Sequence, residues 1–398
     1  MKILQIANKA IYPPDGGTLA ILNLAKGYVE NGNQVHLLNM ITHKHINKFD
    51  EIKEGENKSF QITGVKINTG ISIFKLIINL ITSTKPYISE RFISIKFRNK
   101  LVEIIKNETF DIIQIEGLYV LQYIDDIRKI YKGKILYRSH NLEHLIWERN
   151  SVESKSFVKK YYFKITGRRL LKLEKTLLNR YDYIVPITDS DLDIYKKLGN
   201  NKPAIIAPFG LDLNSFKAKH IKITDSKQSI NYIGALDWIP NQQGLIWFIE
   251  SCLPEIIKSF PEIKLNIAGR NAPKWLIEKF NHKSIKYFGE VSNAYDFIQY
   301  SGPVIVPLFS GSGMRVKIIE CMALKKTIIA TNVAAEGIEC RNNENILLAD
   351  SAPDFSQLVL IALKNKAYQK EIGENAFRFV NEKYNFTKIA SNIIDQIG

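Results

Sequence analysis

The chain is poor in the residues that staple small or secreted folds. Three cysteines in 398 residues, Cys252, Cys321 and Cys340, are too few and too scattered for a disulfide framework or a zinc knuckle. They suit a reducing cytoplasm. Long apolar runs are missing as well. The longest candidate, ISIFKLIINLI at 71–81, is interrupted by Lys75 and falls short of the roughly 18–20 residues of a membrane span. The opening MKILQIAN lacks the longer apolar region and small-residue cleavage site of a signal peptide. Negative charge is also scarce: 40 Asp and Glu stand against 55 Lys and Arg, a net charge of +15. The deficit is uneven, with 33 basic against 21 acidic residues in 1–205 and 22 against 19 in the rest. Such a field favours phosphates, nucleic acid or an anionic membrane surface, unless it is only a lysine-rich solvated surface. The helix-turn-helix, zinc and stacking signatures of a nucleic-acid binder are absent, so no nucleic-acid partner is expected.

What is present reads as a globular α/β protein. Hydrophobic residues make up 45% and charged residues 24%, and the length predicts two domains of roughly 150–200 residues each. In the first half, apolar runs at 2–8, 34–40, 110–117, 134–141 and 181–188 have the style of buried parallel strands. Between them lie helical patterns, such as 18–32 with Leu19, Leu22, Ala25 and Val29 on one face, and 189–199 with an acidic start and Gly199 as a stop. A second series begins near Ser229, with strands at 229–236, 263–270, 285–291, 302–308, 327–333 and 345–349 and a long helix at 241–260. Strands alternating with helices predict parallel sheets covered on both faces. Residues 203–226 read as a strand, a turn and a linker. Clefts between such domains and at sheet switch points are where ligands bind. Segment 71–100 is apolar, aromatic and basic. It reads either as a pair of packed helices or as a surface that touches a lipid-linked acceptor or the membrane interface.

One stretch carries a chemical question. GSGMRVKIIECMAL at 311–324 is a glycine-rich turn running into a helix, with Arg315 and Lys317 near the helix start. Cations there oppose the helix dipole, so an anion is expected to draw them together. Gly311 and Gly313 allow close backbone approach. Free N–H groups at the helix start can bind a diphosphate. Arg315 can grip phosphate oxygens with two N–H groups and Lys317 can act as a compact charge. Glu320, on an otherwise apolar face, needs a partner. Gly16 and Gly17, after a strand and before a helix, aim backbone donors at an anion. His140 ends the strand KILYRSH, a position that favours ligand contact in an α/β sheet.

Taken in order, YPPDGGT (12–18), RSHNLEHLIW (138–147), APFGLDLNSF (207–216), YIGALDWIPNQQGLIWF (232–248) and GSGMRVKIIECMAL (311–324) resemble the retaining glycosyltransferases of family 4, over nearly the whole chain. The resemblance implies the GT-B architecture: two Rossmann-like, doubly wound parallel-sheet domains facing each other across a cleft. Residues 1–205 would form the acceptor-side domain and 206–385 the nucleotide-sugar domain, with a final helix 386–398 packing back on the first. It implies a nucleotide-diphosphate sugar as donor and a glycan or lipid-linked acceptor. It implies donor contacts at Gly16, Gly17, Arg270, Asn271, Val291, Gly311, Ser312, Gly313, Met314 and Glu320, with Glu320 on the ribose hydroxyls and the Arg270 and Gly289–Val291 turns flanking the base. Asp15 would meet the acceptor. His140, Arg315 and Lys317 would serve catalysis: a neutral His140 would donate to a sugar hydroxyl, a protonated one would stabilise phosphate.

Three departures from the family pattern stand out. LDWIPNQQG lacks the usual Arg and Lys at the start of the second domain, which Arg315 and Lys317 are expected to replace. Ser312 stands where many relatives have a second glutamate. Lys325–Lys326–Thr327 replaces a Gly-Lys-Pro after the donor helix. No metal or other cofactor is expected, because DSD at 189–191 reads as a helix start. The expected placement is cytoplasmic, with peripheral contact with an anionic membrane at the inner face of the cell membrane as a further option. The competing readings are a GT-B epimerase, an inverting transferase and a catalytically silent nucleotide-sugar-binding scaffold.

Overall fold

Strand β1 (Lys2–Ala7) shows why the first half folds as it does. Its residues alternate between two cores: Leu4 and Ile6 face one cluster with Leu38, Met40, Ile113 and Ile115, while Ile3 and Ala7 face another with Val35, Leu37 and Ile112. A strand buried on both faces favours apolar residues at most positions, which makes these segments nearly continuous apolar runs; the buried polar exceptions, such as Gln5, find side-chain partners. The computed structural model describes residues 1–11, 16–42, 59–216, 229–300, 302–311 and 314–398. Asp15, Ser312 and Gly313 of the expected site lie outside the described residues.

The chain divides into two compact units, Met1–Gly210 with Phe386–Gly398, and Leu211–Asn385. The first unit adds β2 (Gln34–Ile41), β3 (Phe60–Lys66), β4 (Ile112–Glu116), β5 (Lys134–Ser139) and β6 (Tyr183–Pro186) to β1, in the order β3-β2-β1-β4-β5-β6. Every pairing is parallel, with Ala7 opposite Glu116 and Glu116 opposite Arg138. The second unit holds β7 (Ser229–Ile233), β8 (Lys264–Ala268), β9 (Ile285–Tyr287), β10 (Val304–Val306), β11 (Ile328–Ala330) and β12 (Leu347–Leu348), in the order β12-β11-β10-β7-β8-β9, again all parallel. In each unit the winding reverses once, between β1 and β4 and between β7 and β10. The carboxyl ends of those strands are the places where open α/β sheets bind ligands.

Local differences from the sequence reading have physical causes. The strand expected at 229–236 leaves the sheet after Ile233. The run expected as one helix over 241–260 is a helix at Ile239–Trp247, a π-helical turn at Phe248–Cys252 and a helix at Leu253–Ser259. Pro254 has no N–H to give the carbonyl of Glu250, so regular α bonding is interrupted there. Of the strand expected near 203 only Ala204 bridges Ile184. Strand β3 escapes the sequence reading altogether, because FQITGVK is neither a continuous apolar run nor a strict alternation. The C-terminal helix Phe386–Ile397 packs on the helix Gly16–Glu30 of the first unit.

Candidate functional site

In the first unit, the carboxyl ends of β4 and β5 set Glu116, Arg138 and His140 side by side. Glu116 and Arg138 are fully buried. Glu116 Oε2 lies 2.6 Å from His140 Nε2 and 3.7 Å from Arg138 Nη1. Its Oε1 accepts from Gln5 Nε2 at 2.6 Å and from Gln114 Nε2. Burial alone would push the Glu116 carboxyl up. The Arg138 charge, the contact with His140 and the Gln5 hydrogen bond outweigh it and hold the carboxyl at about 2. Arg138 is tied down by the carbonyls of Ala20 at 3.1 Å and Pro208 at 3.3 Å.

This arrangement fixes the chemistry of His140. Burial lowers its pKa below the usual histidine value, and the Glu116 carboxylate only partly opposes that. The ring is neutral at pH 7. An ionised carboxylate can only accept, so Nε2 carries the proton and Nδ1 is left as an acceptor. The sequence reading had a neutral His140 donating to a sugar hydroxyl; with Nε2–H engaged by Glu116, the ring nitrogen left over, Nδ1, is an acceptor. Glu143, its neighbour in sequence, is instead engaged by Tyr119 Oη at 2.8 Å. Gly16 and Gly17 open the helix Gly16–Glu30, which follows β1.

In the second unit, the helix Val316–Ala323 follows β10, and Arg315 occupies its N-cap position without a side-chain cap bond. Arg315 is 7% exposed, and its guanidinium lies 5.6 Å from the centre of the Trp238 ring. Burial lowers its pKa, opposed by Glu336. Gly311 has φ +113°, and a Cβ there would sit 2.8 Å from Trp238 Cη2 and 3.0 Å from Arg315 Nη2. Only glycine meets both the left-handed backbone and the space. Lys317 turns back toward β7: Nζ donates to Ile233 O at 3.4 Å and Asn241 Oδ1 at 3.3 Å, over the Tyr232 ring at 5.4 Å. Burial, with a small addition from Arg315, pushes its ammonium down to about 8. Asn241 is held for this by its own bond to Ala235 O at 2.8 Å.

Glu320 accepts from Tyr295 Oη at 3.2 Å, and burial raises its carboxyl. Met314 is half-buried just before Arg315. Arg270 and Asn271 are exposed after β8; Asn271 has φ +55° and donates to Asp237 Oδ2 at 3.1 Å. Val291 follows β9, two residues beyond Gly289, whose carbonyl accepts from Gly269 N at 2.8 Å. Among the described residues, then, the structure gathers Gly311, Arg315 and Lys317 at the β7/β10 ends. It places Arg270, Asn271 and Val291 past the neighbouring β8 and β9.

Sequence reasoning missed Glu116, Trp238, Asn241 and Tyr295. Glu116 carried a signal, an acidic residue closing the apolar run FDIIQIEG. Asn241 sits in the very stretch noted for lacking a cation, and it serves as the acceptor for one.

Residues 227–365 match the family Glycosyl transferases group 1. Across 99% of both chains, the protein is 26% identical to an uncharacterised 44.6 kDa protein in the cps region of Klebsiella pneumoniae. It is 24% identical to an uncharacterised glycosyltransferase of Methanocaldococcus jannaschii, over 74% of this chain and 76% of that one. Among solved structures, Anabaena HepE in complex with UDP matches with a TM-score of 0.66 at 12% identity, over 100% of this chain and 99% of that one. Sucrose-phosphate synthase of Thermosynechococcus elongatus matches with a TM-score of 0.67 at 15% identity, over 100% and 98%. At such identities the structural likeness is one of fold, and the fold is GT-B. The stretch 227–365, which lies within the second unit of this GT-B fold, is similar to the Glycosyl transferases group 1 family.

Proposed function

We propose that the protein transfers a sugar from a nucleoside-diphosphate sugar to an acceptor hydroxyl with retention of anomeric configuration, as a family 4 enzyme, in the building of a surface polysaccharide or glycolipid. The observation that carries the reading is Lys317. Among the described residues its hydrogen-bond partners are two neutral oxygens, Ile233 O and Asn241 Oδ1. An ammonium withdrawn from water and met by neutral groups is costly until an anion arrives. A diphosphate at the ends of β7 and β10 supplies that anion.

In this reading Arg315 and Lys317 hold the diphosphate, helped by backbone N–H groups between Gly311 and Met314. They stabilise the charge that grows on it as the glycosidic bond breaks. Fixed donors in a dry pocket are the main lever on such a barrier. Glu320, steadied by Tyr295, takes the ribose hydroxyls. The backbone near Arg270, Asn271 and Val291 frames the base. His140 accepts from a sugar hydroxyl, Gly16 and Gly17 offer helix-start N–H groups to phosphate, and Asp15 meets the acceptor. The departing phosphate itself helps deprotonate the acceptor hydroxyl. No metal or cofactor enters this scheme.

HepE with UDP and with UDP-glucose supports UDP as the first nucleotide to try. The excess of basic residues in the first half supports an anionic, lipid-linked acceptor and a station at the inner face of the cell membrane. Thermal unfolding with UDP, GDP, ADP and TDP, with and without EDTA, tests the donor reading. A nucleotide at 100 times its Kd adds about 2.7 kcal/mol, and one of the four is expected to do so whether or not EDTA is present. No stabilisation by any of them overturns it. Release of free nucleotide only in the presence of acceptor then separates a transferase from a silent scaffold or an epimerase.

A further inference from the structure

The helix Ile73–Thr82 is inside out. Ile73, Phe74, Ile77, Ile78 and Ile81, spaced to share one face, are 42–81% exposed. The residue it buries is polar, Asn79. The Asn79 amide donates to Lys85 O at 3.1 Å and to Glu90 Oε2 at 2.7 Å. Arg169, from the helix Phe157–Leu177, donates to Asn79 Oδ1 at 3.1 Å and to Leu80 O at 2.9 Å. It thereby satisfies carbonyls of the last helical turn. The polar side is bonded to the fold, and five large apolar side chains are turned away from it. A contiguous apolar patch of this kind on a folded unit marks an interaction surface.

The second helix in that contact adds charge. Its exposed face begins with Phe157 and Tyr161, 84% and 62% exposed. It continues at helical spacing through Lys164, Arg168, Lys172 and Lys175, all exposed. From Lys155 to Lys175 there are eight basic residues and one acid. That acid, Glu174, is buried against His144 rather than set among the cations. From Phe157 to Lys175 the face runs about 27 Å, an aromatic tip followed by a basic track whose Lys164, Arg168, Lys172 and Lys175 form no ion pair among the described residues.

We propose that these two helices form a docking surface for an anionic lipid bilayer. The isoleucine face enters the headgroup–acyl boundary, and the lysine track rests on anionic headgroups. Apolar depth combined with unopposed positive charge is the chemistry of interfacial membrane binding. A soluble protein partner would leave the basic track without its counter-charge unless it were itself strongly acidic, and a second copy of this chain would bring like charge. The inference deepens the lipid-linked acceptor reading given above and rests on it for its purpose, though not for its test.

Flotation of the full-length protein with vesicles of phosphatidylcholine, alone or with 30% phosphatidylglycerol, is the experiment. The expected result is binding to the anionic vesicles at least tenfold tighter than to the neutral ones, weakening as salt rises. Ile77→Asp with Ile81→Asp, and separately Lys164→Glu with Arg168→Glu and Lys172→Glu, are each expected to lower anionic-vesicle binding at least tenfold. Both sets of positions are at the surface, so the Tm in the presence of UDP is expected to stay that of the parent. Should one set unfold the protein, the other still decides. Absence of binding, binding indifferent to phosphatidylglycerol, or variants that float like the parent overturn the proposal. So does a parent dimer that the Asp variant converts to monomer while vesicle binding is unchanged, since the face then belongs to a second copy. If UDP fails to stabilise the parent while flotation behaves as expected, the donor reading falls and the docking surface stands.

Discussion

Glu116 Oε2 lies 2.6 Å from His140 Nε2, so a fully buried carboxylate decides which nitrogen of the imidazole carries the proton. Glu116→Gln removes that decision and leaves Arg138 without its nearest negative charge. Breaking one side of a buried ion pair costs about 3–5 kcal/mol of stability. The loss of a charge-assisted orienting bond is expected to lower kcat/KM roughly ten- to a hundredfold, with the Kd for UDP unchanged. The carboxyl sits at about 2 in the fold against 4.5 unfolded. The unfolded chain therefore holds more protons between those values, and stability falls as pH drops through that window. Acid denaturation of Glu116→Gln, followed by circular dichroism, is expected to lack this part of the acid limb. An unchanged limb would mean that the carboxylate is not held as the geometry requires.

Lys317 predicts a proton count. Its ammonium sits at about 8 without ligand, so it is about half protonated at pH 8. A bound diphosphate favours the charged form and raises that value. UDP binding at pH 8 is expected to take up about half a proton, read as the dependence of calorimetric heat on buffer ionisation enthalpy. Lys317→Met should abolish the uptake.

The same lysine also predicts a stability slope. Unfolded lysine titrates near 10.5, so between about 8 and 10.5 the unfolded chain holds more protons and stability rises with pH. Lys326 is likewise pushed to about 8 by burial and contributes the same sign. Lys317→Met is expected to roughly halve the rise seen in urea midpoints across that range. It is also expected to be more stable than the parent at pH 7 without nucleotide, where the parent must keep the cation buried.

The helix Phe386–Ile397 returns the chain to the first unit, and its contact is close enough to test. A Cβ on Gly27 would lie 2.5 Å from Phe386 O and 2.9 Å from Ala390 Cβ. Overpacking of this order costs about 1–3 kcal/mol. Gly27→Val is expected to lower the unfolding free energy by that amount, read as a fall in the urea midpoint at an unchanged m-value. Gly27→Val in a chain ending at Asn385 should cost nothing further, since the clashing helix is gone.

The alternation of apolar runs and helical spacings made eleven of the twelve strands legible, because a strand buried on two faces is constrained to be mostly apolar. Strand β3 was hidden because FQITGVK mixes exposed and buried positions at the sheet edge. Gly311, Arg315 and Lys317 could be named from their order along the chain. Trp238 and Tyr295 could not, since each matters only through the side chain it meets: Arg315 for one, Glu320 for the other. Glu116 lies 24 positions from His140 in sequence, and only the parallel pairing of β4 with β5 brings them together. The outward face of Ile73–Thr82 was unreadable for a different reason. An apolar stripe has the same sequence whether it faces a core or the outside of the fold, and here the bonds of Asn79 and Arg169 turn it outward.

Arg315 and Gly311 should act on UDP as one feature. Arg315→Ala removes a charge-assisted contact and is expected to weaken UDP binding by about 1.5–3 kcal/mol. Gly311→Ala forces a side chain into left-handed backbone and against both Trp238 and Arg315 Nη2. Strain of that kind costs about 1–3 kcal/mol, and it is expected to displace the guanidinium it touches. If the turn serves chiefly to place Arg315, the double variant binds UDP no more weakly than Arg315→Ala alone, because the second change has nothing left to misplace. Calorimetric titration of the three variants measures this coupling. Fully additive losses would show that the turn binds phosphate through its own N–H groups, independent of Arg315. Unchanged affinity in Arg315→Ala would remove the guanidinium from the phosphate site, and the anion would then be left to Lys317 and the helix start.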